Sequence, residues 1–306
     1  MNDDGGDDRW VGMAFVLAGA VLLASKGIFA KFLYARGVSV ETLVAVRSVA
    51  AFPGFIAIAL VRGGLTPLRS APPVALAKAA LAGIICYYMG AGLNFYALSL
   101  IDASVERALL FAYPAMLVLY LWIARGRRPG WPTGIATLAT YAGIALTVGA
   151  LRPSVLDANL VGALLVLICS ATIAYYFLTT ADVMKHVGSA QMTVVAMGAA
   201  AFAYALHYEV RVGWQNLSID AESWFWLLGL TVFATVLPLY FVAEGVRRIG
   251  PERAAIASTV GPVATTLMAF ALLGERLSPD QLVGIFLIVV GILVVELRRQ
   301  RRPVHA

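Results

Sequence analysis

Ten apolar runs, each long enough to cross a bilayer, follow one another along this chain of 306 residues. A crossing helix needs about 20 apolar residues. The runs fall at residues 10–34, 41–62, 74–99, 104–124, 132–151, 159–184, 189–210, 223–246, 253–273 and 279–297. Turn chemistry marks the joints: Arg62-Gly-Gly, Ala71-Pro-Pro, Arg128-Pro-Gly-Trp-Pro, Arg152-Pro-Ser, Ile249-Gly-Pro and Leu277-Ser-Pro. Hydrocarbon offers the backbone no water, so each run must close its hydrogen bonds within itself as a helix. The expected fold is all-α, a polytopic membrane bundle with short loops and no extramembrane domain.

Composition removes the competing classes. Hydrophobic residues make up 61% and charged residues 13% of the chain, where a soluble domain carries about 25% charge. A water-soluble enzyme and a disordered chain are excluded. The net charge of +6 does not point to nucleic acid, because the arginines sit in short clusters between apolar runs and not along one face. Cys86 and Cys169 lie inside apolar runs without a CxxC spacing or a nearby histidine, and they read as small buried hydrophobes. No metal and no cofactor is expected. The segment before Trp10 is acidic, with Asp3, Asp4, Asp7 and Asp8, and lacks the basic start of a signal peptide, so the first run is expected to stay as a membrane helix.

Orientation follows from the basic residues. With both termini inside, the inner segments hold 14 Lys and Arg and the outer loops 5, the latter being Arg36, Arg107, Arg152, Arg211 and Arg276. Excess positive charge marks the cytoplasmic side. The expectation is a bacterial inner-membrane protein with cytoplasmic N- and C-termini.

The chain also repeats itself. A shift of 148 positions puts Pro114 on Pro262, Gly126 on Gly274 and Gly143-Ile144 on Gly291-Ile292; near the start of each half, a shift of 150 pairs Gly12 with Gly162 and Glu41 with Gln191. Five spans per half is an odd number, so the halves, 1–151 and 152–306, enter the membrane from opposite sides. Such inverted repeats place a substrate site near the midplane between them and support alternating access. The fifth and tenth spans are poor in polar groups and should pack at the periphery. The reading is a transporter.

The residues that sharpen it are Ala243-Glu244 through Gly250-Pro251, Pro262, Gly274-Glu275-Arg276-Leu277-Ser278, Gln281, Gly284 and Gly291, with Arg47 in the second span. This pattern resembles the drug/metabolite transporter superfamily of EamA type, and most resembles its bacterial exporters of aromatic amino acids. The resemblance covers the whole chain and implies ten spans and outward movement of amino acids. The chain departs from an equal pair of motifs at one point: Arg127 stands in the first half where Glu275 stands in the second.

Charges inside spans point to function by default. Lys26 lies about 16 residues into the first run, or roughly 24 Å along a helix. It has two readings, a partner for a substrate carboxylate or a lysine that snorkels to the headgroups. Arg47 reads as a structural residue bonded to backbone carbonyls, with service at the site as the alternative. Glu244 precedes Arg247 and Arg248 at i+3 and i+4 and reads as an intrahelical ion pair, with proton coupling as the alternative. Glu106 and Arg107 read as cap and interface residues at a helix start, which leaves no acid at the midplane. Tyr87, Tyr88, Tyr113, Tyr175 and Tyr240 fall too deep for an interfacial belt. With Phe111, Tyr176, Asn94, Ser258 and Thr259 they are the candidate lining of a cavity that is mostly apolar with a few polar anchors. Pro114 and Pro262 are candidate hinges. The partners expected are a small-molecule solute and the bilayer, for a monomer or weak homo-oligomer. An intramembrane enzyme lacks its HExxH or aspartate pair; a passive channel or scaffold stays open.

Overall fold

The computed structural model describes residues 4–126, 130–183 and 188–300. Arg127, Arg128, Lys185, His186, Arg301, Arg302 and His305 lie outside the described residues, and with them the comparison of Arg127 with Glu275. Among the described residues every regular element is helical.

Among the described residues eight helices are long and apolar enough to span a membrane: Trp10–Ala35, Val40–Val61, Pro73–Leu100, Ala103–Ile123, Pro153–Thr179, Ser189–Arg211, Ala221–Gly250 and Ile256–Leu273. They correspond to the first four and the sixth to ninth expected spans. The tenth, Pro279–Val295, is apolar but shorter. The fifth, Trp131–Val148, has 18 residues and is diluted by threonines, three of which bond back to their own helix: Thr137 to the Thr133 carbonyl, Thr140 to Ala136 and Thr147 to Gly143. The fifth and tenth helices pair closely with each other.

That pair shows how helices meet where apolar surface gains nothing by association. Small residues let the backbones touch. A methyl group on Gly143 would stand 2.6 Å from the Gly284 carbonyl oxygen, and one on Gly284 would stand 2.7 Å from the Gly143 oxygen. The first span packs on the eighth in the same way, with Gly245 against the Gly12 carbonyl and Gly19 against that of Pro238. The third span packs on the sixth and seventh, where Gly83 lies on the Ala196 backbone. The second span lies along the seventh.

Several spans are broken, and each break has a local cause. The first span divides at Ser25, whose hydroxyl donates to the Leu22 carbonyl, so that a second helix, Lys26–Ala35, begins at the lysine. The fourth divides at Phe111–Ala112 just before Pro114, and the ninth divides at Thr259 just before Pro262. The third and eighth spans each carry a wide π turn, Ile84–Gly90 and Val232–Val236. Residues 111 and 259, like 84 and 232, are one repeat length of 148 apart. The eighth span ends at Gly250, whose φ of 81° is open to glycine alone without strain. Asp220 starts that span by accepting hydrogen bonds from the Ser223 side chain and backbone, and these bonds hold its carboxyl below the usual range.

The glycine contacts make a stability prediction. Gly284→Val should lower the thermal unfolding midpoint of the detergent-solubilised protein, at a cost on the order of 1–3 kcal/mol for overpacking. Gly134→Ala adds a methyl group with nothing within 4 Å and should leave the midpoint unchanged or raise it. Equal responses at the two positions would contradict the close fifth–tenth pairing.

Candidate functional site

The centre of the first half is polar. Lys26 reaches across from the start of its helix to Asn94 of the third span, where Nζ donates to Oδ1 at 2.5 Å, and to Glu106 of the fourth, at 3.1 Å from Oε1. Asn94 Nδ2 donates to the same Glu106 oxygen at 2.5 Å. The triangle is sealed: Glu106 is 1% and Asn94 2% exposed. Lys26 also stands 5.5 Å from the Phe95 ring centroid. The snorkelling reading of Lys26 therefore fails, since its ammonium ends inside the bundle. The expectation of no central acid fails too, because Glu106 is that acid.

Glu106 was expected to cap its own helix. The cap comes instead from the second half. Glu275 accepts from the backbone N–H groups of Ala103 and Ser104 and from the Ser104 hydroxyl, at 2.8–3.1 Å. A carboxylate there meets the positive end of the fourth helix. Gly274, at φ 68°, turns the chain to deliver it. With the cap supplied from outside, Glu106 is free to point inward to Lys26. The sequence carried no local signal for this, because capping patterns are read within one segment and this cap comes from more than 170 residues away.

The arginines also depart from expectation. Arg107 is 3% exposed, not an interface residue; its guanidinium lies 4.9 Å from the Phe111 ring centroid, and its Nη2 would stand 3.1 Å from a methyl on Gly261. Arg47 makes no bond to a backbone carbonyl. Its guanidinium lies 4.8 Å from the centroid of Phe95, the ring that Lys26 also approaches, with Ser48 Oγ at 3.4 Å.

Aromatic pairs join the two halves around this core. Tyr87 meets Tyr176 at 5.0 Å between centroids, Tyr88 meets Tyr204 at 4.7 Å, and Tyr113 stacks on Phe177 at 5.4 Å. Tyr88 also shares a hydrogen bond of 2.6 Å with His207 Nδ1, and Tyr204 donates to the Tyr88 carbonyl. Tyr204 and His207 were not among the candidates. Their signal was a Tyr-x-x-His spacing one helical turn apart, which marks a shared face only once the partner helix is known.

The other candidates scatter. Tyr240 lies towards the end of the bundle near the start of the first helix, where it receives Arg62 at 5.4 Å from its ring and lines a cavity of about 450 Å³ with Gln191, Glu244 and Arg62. Glu244 makes the expected contacts with Arg247 and Arg248, and in addition a 2.6 Å ion pair with Arg62 across the halves. Tyr175 is exposed on an outer stripe with Val161, Leu164 and Ile168, apart from the rest. Ser258 and Thr259 return their hydroxyls to the Ala254 and Ile256 carbonyls beside the helix break. Among the described residues no group of three metal-ligating side chains converges.

The EamA-like transporter family matches this chain twice, over residues 10–149 and 160–297, and the chain belongs to that family. It is similar to the uncharacterized transporter YcbK of Bacillus subtilis (strain 168), with 31% identity over 92% of each chain. The uncharacterized transporter YwfM of the same organism is 26% identical over 57% of each chain. A protein of known crystal structure shares the fold at 20% identity and a TM-score of 0.63, covering 97% of this chain and 99% of the other. The chain is thus a multi-pass membrane transporter.

The buried triangle yields a test. Lys26→Met or Glu106→Gln alone leaves the partner charge or amide uncompensated and should cost about 3–5 kcal/mol. The double variant Lys26→Met/Glu106→Gln should lose less than the two single losses added together. Thermal unfolding in detergent measures it; additive losses in the double variant would mean that the two side chains do not interact.

Proposed function

We propose that the protein exports amino acids with large apolar or aromatic side chains, together with related small metabolites, by alternating access between two inverted five-helix repeats. The observation that carries this reading is the set of aromatic pairs that bridge first-half and second-half helices: Tyr87–Tyr176, Tyr88–Tyr204 and Tyr113–Phe177. A ring entering between the halves exchanges these pairs for its own stacking, so binding couples directly to how the halves sit against each other.

The repeat reading has its own support. The family matches each half separately. Helix pairing is symmetric under exchange of the halves: first with eighth corresponds to sixth with third, while second–seventh and fifth–tenth correspond to themselves. The breaks before Pro114 and Pro262 and the paired π turns offer equivalent bending points in each half. In this reading the termini are cytoplasmic, and the Arg62–Glu244 contact, which joins the two halves, closes that side.

Counterflow of labelled amino acids in proteoliposomes tests the substrate class. Each favourable ring pair contributes about 0.5–1.5 kcal/mol, so Tyr88→Ala should lower phenylalanine and tryptophan transport about 2- to 10-fold and alanine transport less. Tyr175→Ala, on the outer stripe, should behave like the parent. Equal loss for every amino acid would remove the aromatic site. For orientation, a cysteine at Ala306, which lies outside the described residues, should react with an impermeant label only after the cells are opened.

A further inference from the structure

The bundle interior holds more positive charge than it neutralises. Lys26, Arg47 and Arg107 all lie within spans, and Glu106 is the acid among them. Glu106 is bonded to Lys26 and its charge also acts on the adjacent Arg107, which leaves Arg47 without a carboxylate partner among the described residues. Burying a cation without a partner is costly, and within a membrane such a charge marks a ligand path.

The two arginines are not equivalent. Arg107 is closed over by Phe111 and Gly261. Each arginine carries a buried Nε without a hydrogen-bond partner, but Arg47 is only half-buried. Tyr204, which stands near the Arg47 guanidinium, lines a small cavity of about 30 Å³ with Glu41, Val44, Ala45, His207 and Tyr208; Arg47 stands beside that cavity without lining it. Phe95 lies beneath the guanidinium, and Tyr34 and Tyr204 stand near its charge. The surroundings are a planar cation with free donors in an aromatic cage, which suits a carboxylate attached to a ring-bearing body.

We propose that Arg47, not Lys26, takes the carboxylate of the transported solute, which enters beside Tyr204 and His207. Lys26 cannot do so without releasing Glu106, whereas Arg47 gains its missing acceptor. The assignment rests on the reading of the protein as an exporter of amino acids. It makes a negatively charged group, with an aromatic or large apolar body, the feature that a ligand must carry. The 30 Å³ cavity holds no such body as it stands, so binding requires Tyr204 or Tyr88 to swing aside, breaking the edge-on pair they form.

Thermal unfolding of the full-length protein in detergent tests this with three probes that share one ring: tryptophan, indole-3-propionate and tryptamine. Tryptophan and indole-3-propionate should raise the parent's unfolding midpoint, and tryptamine should not. Arg47→Gln should bind the two carboxylates about 10- to 100-fold more weakly, the worth of one charge-assisted hydrogen bond, while its midpoint without ligand stays level or rises because an unpaired charge is gone. Arg47→Lys should retain part of the carboxylate response. Full retention of the response in Arg47→Gln, or equal stabilisation of the parent by tryptamine, would overturn the assignment, as would a parent that answers to neither carboxylate. Counterflow separates this from the broader reading. Amino acid transport that survives Arg47→Gln removes the Arg47 role alone. A parent that binds indole-3-propionate through Arg47 but transports no amino acid keeps the site and removes the amino acid substrate.

Discussion

Hydrocarbon accepts no hydrogen bonds, and this constraint governs every level of the structure. It forces each span into a helix, and it also removes the usual reason for helices to associate, since lipid is as apolar as leucine. What remains is contact close enough for backbones to pack, and polar groups that have nowhere else to go. Both occur. Gly143, Gly284 and Gly291 allow the fifth and tenth helices to touch along their length, and Gly12, Gly19 and Gly245 do the same for the first and eighth. Between these dry contacts, polar side chains satisfy one another across helices: Tyr34 on the Phe95 carbonyl, Ser170 on the Leu109 and Leu110 carbonyls, Thr265 on the Ala24 carbonyl.

The same constraint explains how the charges divide. Near the helix ends, ions meet in pairs that join segments, as in Arg152 with Asp280, Arg36 with Glu222 and Arg62 with Glu244. Arg36 with Glu222 is well exposed and can part and re-form at modest cost, whereas the acids of the other two pairs are mostly buried. Deep in the first half Glu106 is held by two hydrogen-bond donors from two other spans, and parting it would strand a charge in a sealed site. The triangle of Lys26, Asn94 and Glu106 therefore acts as a fixed point for the first, third and fourth spans, around which more mobile contacts are arranged.

Mobility is built into the helices themselves. A π turn leaves a backbone carbonyl underused and widens the helix, and a proline removes one hydrogen bond outright. Here π turns in the third and eighth spans, and breaks before Pro114 and Pro262 in the fourth and ninth, lie one repeat apart. The fixed triangle, in contrast, has no counterpart in the second half: position 254, one repeat length after Glu106, is Ala254. The two halves thus share their bends and differ in their charges.

Much of this was legible in the chain. Apolar run length dictated the helices, because the cost of bare backbone in lipid leaves no other conformation, and the 148-residue shift located the equivalent prolines and glycines. The candidate site was legible only in kind. Depth marked Tyr87, Tyr88, Tyr113 and Asn94 as interior, but depth along a helix says nothing about direction around it, so Tyr175 was included and Tyr204 and His207 were missed. Tertiary structure alone decided which charge met which. Glu106 became a core acid only because Glu275, far along the chain, took over the cap of its helix, while Arg47, on another span, meets no acid among the described residues. Pairing among buried charges depends on distances between helices, and those are set by where glycines let backbones touch, a property of two segments together that neither displays by itself.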